Sequence, residues 1–178
     1  MMRATHLALV ASLSLASQAP LALHAQGAKA AALDDATIVG IFDAANTWDI
    51  ATGTLATKRA ARADVKDFGM MLETAHTAVQ AQGRDLARKL GVTPTPVAKD
   101  FALLLDYNAT MKKLGGLSGA AFDKAFLEHE VAYHQAVIDA VTKSFLPAIK
   151  NAELKAFVEK VAPAFSAHLE QAQYLLKK

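Results

Sequence analysis

Across residues 122–141 apolar side chains recur at helical spacing, and two ionisable residues stand inside the recurrence. Leu127, Glu130, Val131, His134, Val137 and Val141 fall on one face of a single long helix, a face that must point into a core. Glu130 and His134 are four residues apart, so they stack one turn over the other. A carboxylate and an imidazole in apolar surroundings cost free energy unless something pairs with them. Such a chain has to be helical here, and its other segments have to supply the partners.

Three further stretches repeat the pattern. A first helix, capped by Asp34 or Asp35 and running to Arg59, carries Ile38, Phe42, Ala45, Asp49, Thr52 and Ala56 on one face, with Asp49 as the intruder. Gly53 lowers its helix propensity but permits close packing. A second helix, residues 64–90 with Gly91 at the C-cap, has the stripe Val65, Phe68, Leu72, His76, Val79, Gly83, Leu86 and Leu90. Glu73 stands one turn before His76, and Glu-x-x-His is the spacing that holds carboxylate-bridged metals in helical bundles. Thr93-Pro94-Thr95-Pro96 interrupts the pattern, and a shorter helix over residues 97–114 follows, long enough at about 27 Å to travel the length of a bundle. Ser118 is expected to cap the helix first described, which runs to Ser144 before Pro147 breaks it. A last helix from Asn151 to Leu176 presents Leu154, Val158, Val161, Phe165, His168, Ala172 and Leu175, with Pro163 expected to kink it.

Four long amphipathic helices, two short corners and a long helical crossover between the second and third long helices predict an all-α four-helix bundle over residues 35–178. Asp49, Glu73, His76, Glu130, His134 and His168 all lie near the middle of their helices, so they can converge at one depth. His129 lies on a different face and is the internal control. Imidazoles with carboxylates are the donor mix for zinc, copper or iron. The same groups can also brace a bundle as a hydrogen-bonded polar layer. Both readings stand at this point. A di-iron enzyme of the usual kind needs two Glu-x-x-His motifs, and Phe165 occupies the position that would make the second.

Composition narrows the setting. Arg3, the apolar run of residues 7–16 and small residues up to Ala25 have the anatomy of a secretory signal peptide, cleaved after Ala25, followed by a loose lead-in over residues 26–34. The chain has no Cys, so it forms no disulfide and carries no lipidated Cys; the periplasm is the expected address. With Arg3 gone, the 19 basic residues fall by one against 17 acidic ones, which leaves no electrostatic footprint for nucleic acid. After the leader no segment is long and apolar enough to span a membrane. Neither a nucleophile elbow nor a glycine-rich phosphate loop is present in the sequence.

The chain resembles an exported bacterial ferritin-like family, domain of unknown function 4142, whose members are often labelled outer membrane proteins. The resemblance covers residues 36–174. It rests on Asp49 with Leu55-Ala56, Val65-Lys66-x-Phe68, Met71, His76, Phe122-Asp123 with Phe126-Leu127, His134, and Leu154-x-x-Phe157 followed by Pro163 and His168-Leu169. It implies a ferritin-like four-helix bundle with His76, His134 and His168 as the positions of interest, and it brings no established reaction. Asp49 stands where the family usually has Glu, and Ala75 where it usually has Asp. The expected role is a non-enzymatic binding or envelope-stress module with a transition-metal site formed by His76, His134 and His168 and supported by Asp49, Glu73 and Glu130. A metal-dependent oxidoreductase and a purely structural or interaction protein are the alternatives. A homo-oligomer or an envelope protein is the expected macromolecular partner.

Overall fold

The computed structural model describes residues 33–178, and every regular element among them is helical. The stretch read as a signal peptide, and residues 26–32 of the lead-in, lie outside the described residues. Helix α1 (Asp35–Arg59) opens where the Asp34 carboxylate accepts a hydrogen bond from Thr37 N at 2.8 Å, meeting one of the amide groups a helix start leaves unpaired. A three-residue corner leads to α2 (Ala63–Lys89), which closes at Gly91 with φ +66°, a left-handed conformation that glycine adopts without strain. The two helices cross closely. A Cβ on Gly53 would lie 2.7 Å from Gly69 O, and one on Gly69 would lie 2.8 Å from both Ala56 Cβ and Gly53 O.

The crossover starts later as a helix than the sequence suggests. Pro94 and Pro96 hold their predecessors extended, Thr95 N donates to Ala36 O at 3.0 Å, and the chain lies directly across Gly40. Only then does α3 (Ala102–Gly115) begin, 14 residues and about 21 Å long rather than the longer helix expected from residue 97. It docks on α1 through Tyr107, whose ring stacks on Trp48 at 5.8 Å. The Arg59 guanidinium donates to Gly115 O at 2.9 Å and to Leu117 O at 2.6 Å, fixing the end of α3 to the end of α1.

Helix α4 (Gly119–Ala140) departs from expectation at both ends. Ser118 stands at the N-cap position as expected, but its side chain makes no capping bond, and the chain enters through Gly119 at φ +59°. Regular α-helix stops at Ala140, because Val141–Phe145 winds as a π-helical turn that carries on into the one-turn α5 (Leu146–Ala148). Pro147 sits in the first turn of α5, where its missing N–H costs nothing, so the break falls after Ala148. Helix α6 (Ala152–Leu176) is capped by Asn151 Oδ1, which accepts from Glu153 N and Leu154 N at 2.9 and 3.1 Å. Pro163 lies on its exposed side, and the helix is continuous through it.

Hydrogen bonds at the helix ends fix the directions. Asp123, at the start of α4, accepts from Ala61 N and Arg62 N at 2.8 and 2.9 Å, while Arg62 donates to Leu175 O near the end of α6. At the opposite end, Asp35 accepts from Lys150 N and Asn151 N. Thus α1 and α6 run one way, and α2 and α4 the other, so the crossover joins two helices that point alike. Phe68, Leu72, Leu114, Phe122, Phe126 and Leu175 pack one apolar core near the α1–α2 corner. Ile38, Val141, Phe145, Leu154, Val158 and Phe165 pack a second toward the far end. Between the two cores the helices carry buried polar side chains.

Candidate functional site

Three imidazoles from three helices meet in that layer. His76 (α2), His134 (α4) and His168 (α6) are buried, and each offers a ring nitrogen within 4.8 Å of the other two. Asp49 (α1), Glu130 and His134 form a second group of the same compactness that shares His134. Glu130 is 0 % exposed and Asp49 and His134 are each 1 % exposed, so water is kept from all three. Glu73 is not brought in: it is half-buried and belongs to neither group. His129 faces α3, its Nδ1 3.2 Å from Thr110 Oγ1 and 3.9 Å from Asp106 Oδ2, away from the layer.

Hydrogen bonds decide which ring nitrogens hold protons. Asn46 donates its amide to Phe42 O at 2.8 Å, so its oxygen is the atom that faces His76 Nδ1 at 2.9 Å. An oxygen acceptor there requires Nδ1–H, which leaves Nε2 with a lone pair. In His134, Nδ1 donates to Glu130 O at 3.0 Å, with Glu130 Oε2 at 3.4 Å, and again Nε2 is the bare nitrogen. His76 Nε2 accepts from His168 Nδ1–H at 3.2 Å and lies 3.0 Å from Asp49 Oδ2, and His134 Nε2 is 3.4 Å from the same Asp49 oxygen. The carboxylate contacts are close in distance but misaligned as hydrogen bonds. Both oxygens of Asp49, Glu130 Oε2 and His134 Nε2 therefore stay buried without a hydrogen-bond partner.

Burial dominates the electrostatics. It pushes His76 down to about 2, with His134 and then His168 adding repulsion, and it lowers His168 to about 4. Burial also raises Glu130 to about 8, against a Thr52 hydroxyl that donates to Oε1 at 3.0 Å, and lifts Asp49 well above the usual carboxylate range. In the chain alone the layer holds His76 and His168 as neutral imidazoles beside carboxyl groups that keep their protons. Phe165 stacks on His76 at 5.9 Å and 11°, closing that side with an apolar face in the position where a further carboxylate would have stood.

The sequence pattern passed over Asn46 and Tyr133, and it placed Thr52 on the inward face without giving it a role. Asn46 stands three residues before Asp49, as Thr52 stands three after it, a polar spacing on α1 that could have marked Asn46. Tyr133 donates its hydroxyl to Ala45 O at 2.8 Å, tying α4 to α1 beside the site. A cavity of about 430 Å³ opens onto this layer between α1, the start of α3, the end of α4 and the π turn. Asn46, Asp49, His76 and His134 form its floor, and its walls are almost wholly apolar.

Fold and layer together define an all-α helical bundle with a buried histidine and carboxylate core. The chain belongs to the family described as Domain of unknown function (DUF4142), whose model matches residues 20–175. No curated protein and no solved structure matches it. No helix among the described residues is long and apolar enough to cross a membrane.

Proposed function

We propose that this chain is an exported, ferritin-like four-helix bundle protein that binds one transition-metal ion, zinc, copper or iron, through His76, His134, His168 and Asp49, with Glu130 beside them. One observation carries the reading. Four buried polar atoms, on Asp49, Glu130 and His134, face the other donors and have no hydrogen-bond partner among the described residues. A self-satisfying brace falls short of this arrangement. A proton on Asp49 can serve only one imidazole, and the second Asp49 oxygen and Glu130 Oε2 stay bare.

A cation meets all of these needs at once. Donor atoms around a tetrahedral ion at about 2.0–2.1 Å lie roughly 3.3–3.4 Å from one another. Three contacts among these donors lie near that value: His76 Nε2–Asp49 Oδ2 at 3.0 Å, His76 Nε2–His168 Nδ1 at 3.2 Å and His134 Nε2–Asp49 Oδ2 at 3.4 Å. The tautomers fit as well: His76 and His134 each give Nδ1–H to an oxygen and keep Nε2 free, the way protein hosts orient metal-binding imidazoles. A bound ion would supply a fixed positive charge that draws both carboxyl groups into their ionised form.

The ferritin-like assignment is supported by helix directions in which the crossover joins two parallel members of the bundle. Export to the periplasm is supported by the leader-like residues 1–25 and the absence of Cys. The role is binding rather than turnover, because the chain has a single Glu-x-x-His and its Glu73 stands outside the layer. A metal-dependent oxidoreductase is the second reading, favoured by the cavity that Asp49, His76 and His134 help to line. Dialysis against zinc, copper or iron followed by elemental analysis tests the first. Stoichiometric metal in wild type and His129→Ala, and its loss in His76→Ala, is expected; equal metal in all three, or none in wild type, overturns it. An oxygen-dependent absorption change in the iron-loaded protein would move the assignment to the second.

A further inference from the structure

Charge is unevenly placed along this bundle. Of the 19 basic residues, Arg3 and Lys29 precede the described residues, so 17 basic side chains face 17 acidic ones. Nine of those basic side chains lie within about two helical turns of the end where α1 meets α2. Lys58 and Arg59 close α1, Lys112 and Lys113 close α3, and Lys177 and Lys178 follow α6. Arg62 and Lys66 open α2, and Lys124 stands in the second turn of α4. The same zone holds four carboxylates, Asp64, Asp67, Asp123 and Glu170, so the matching acidic excess falls on the rest of the molecule.

Local structure does not use up this charge. Asp123 is 2 % exposed and spends both oxygens on Ala61 N and Arg62 N, while Asp64 takes Arg62 and Lys178 at 2.9 and 3.4 Å. Lys124 lies 3.7 Å from Glu128. Lys58, Lys66, Lys112, Lys113 and Lys177 are exposed and make no ion pair among the described residues. Elsewhere Arg84, Arg88, Lys89 and Lys143 each hold a carboxylate. Helix dipoles absorb little of the excess: the carbonyl ends of α1, α3 and α6 place roughly −1.5 elementary charges here, and the amide ends of α2 and α4 return about +1. We infer that this end of the bundle docks on an anionic phospholipid surface, its lysines meeting the lipid phosphates. The cations are spread over five helix ends around the cross-section, which suits a field of phosphates rather than one polymer strand followed along a groove. Tyr174, 56 % exposed, stands in the last turn of α6 with Lys178 Nζ 4.6 Å from its ring centre, an amphipathic side chain of the kind that settles at headgroup depth. Such docking holds the bundle at the surface by charge and needs no helix to enter the bilayer.

The basic end is remote from the histidine layer, so this inference stands or falls independently of any bound metal. The test is sedimentation of the full chain with phosphatidylcholine vesicles, with and without phosphatidylglycerol, at low salt. The apolar run of residues 7–16 meets both vesicle types alike, so the difference between them reports charge. Phosphatidylglycerol vesicles should be preferred by at least about tenfold, and the preference should vanish when salt near ~1 M shortens the screening length to about 3 Å. The triple variant Lys112→Gln, Lys113→Gln, Lys177→Gln should lower binding by about 100-fold, each lysine being worth about fivefold near such a surface. Lys150→Gln, Lys155→Gln, Lys160→Gln removes the same charge from elsewhere on the bundle and should lower it by less than about threefold. No preference for the anionic vesicles, equal losses in the two triple variants, or a DNA duplex held at least as tightly at matched phosphate concentration would overturn the inference. Lipid preference and the duplex comparison are read on wild type, so the outcome stands even if a variant fails to fold.

Discussion

At Asn46 a single amide sets which nitrogen of His76 carries the proton, because its own NH2 is committed to Phe42 O and only its oxygen faces the ring. Removing that amide should free His76 to turn or change tautomer. Asn46→Ala is therefore expected to weaken metal affinity by about 10- to 100-fold, as loss of an imidazole's hydrogen-bond partner generally does. A competition titration against a chromogenic chelator checks this; unchanged affinity would mean that Asn46 does not orient the ring. Legibility at this scale was uneven. His76, Glu130, His134, His168 and Asp49 stood out because an ionisable residue on an apolar stripe is costly, and the structure gathers all five. Glu73 has the motif spacing but is half-buried and outside both groups, since a three-residue offset turns it off the axis on which His76 points inward. Asn46 escaped notice, and Thr52 was placed on the stripe without a role, because a neutral polar residue carries little alarm in sequence.

Helix periodicity was most informative where a helix is flanked on both sides. All seven residues of the α6 stripe are buried, from Leu154 to Leu175. On α2 the stripe holds through His76, after which Val79, Gly83, Leu86 and Leu90 are only half-buried while Gln80 and Ala87 go inside. There the neighbour dictates: the Gln80 amide donates to Asp43 O and Thr47 Oγ1 on α1, a polar contact that no apolar pattern encodes. The π turn after Ala140 was equally invisible, since residues 141–144 read as continuing helix. Close approach at the α1–α2 crossing makes a sharp prediction. Gly69→Ala should destabilise by about 1–3 kcal/mol despite its better helix propensity, because the new methyl group meets Ala56 Cβ and the Gly53 carbonyl. Gly115→Ala, where a Cβ meets nothing within 4 Å, should be neutral or stabilise by about 0.5–1 kcal/mol. Urea unfolding midpoints for the two variants should therefore move in opposite directions; a parallel shift would contradict the packing described.

For the molecule as a whole, the buried layer ties stability to pH. His76, His129 and His168 titrate at about 2, 4 and 4 in the folded chain against 6.5 when unfolded, so as pH falls below about 6.5 the unfolded chain takes up protons the fold refuses. Stability is lost in that direction. Glu130 titrates at about 8 against 4.5, and Asp49 is raised in the same sense, so the fold keeps their protons and loses stability as pH rises from about 4.5 to 8. Three histidines outweigh two carboxyl groups below about 6.5, and only the carboxyl groups act above it. Metal-free protein should thus be most stable near pH 6.5, and saturating metal should abolish the alkaline decline by ionising both carboxyl groups. Urea midpoints near pH 5, 6.5 and 8, with and without zinc, check this. The most direct measurement is of the histidine rings themselves. Long-range proton–nitrogen NMR of the metal-free chain should find a proton on Nδ1 of both His76 and His134, and zinc should shift the Nε2 resonances of both and Nδ1 of His168 while leaving His129 unmoved. Protons on Nε2 of His76 and His134, or zinc shifts confined to His129, would contradict the convergence of these three rings on a common ion.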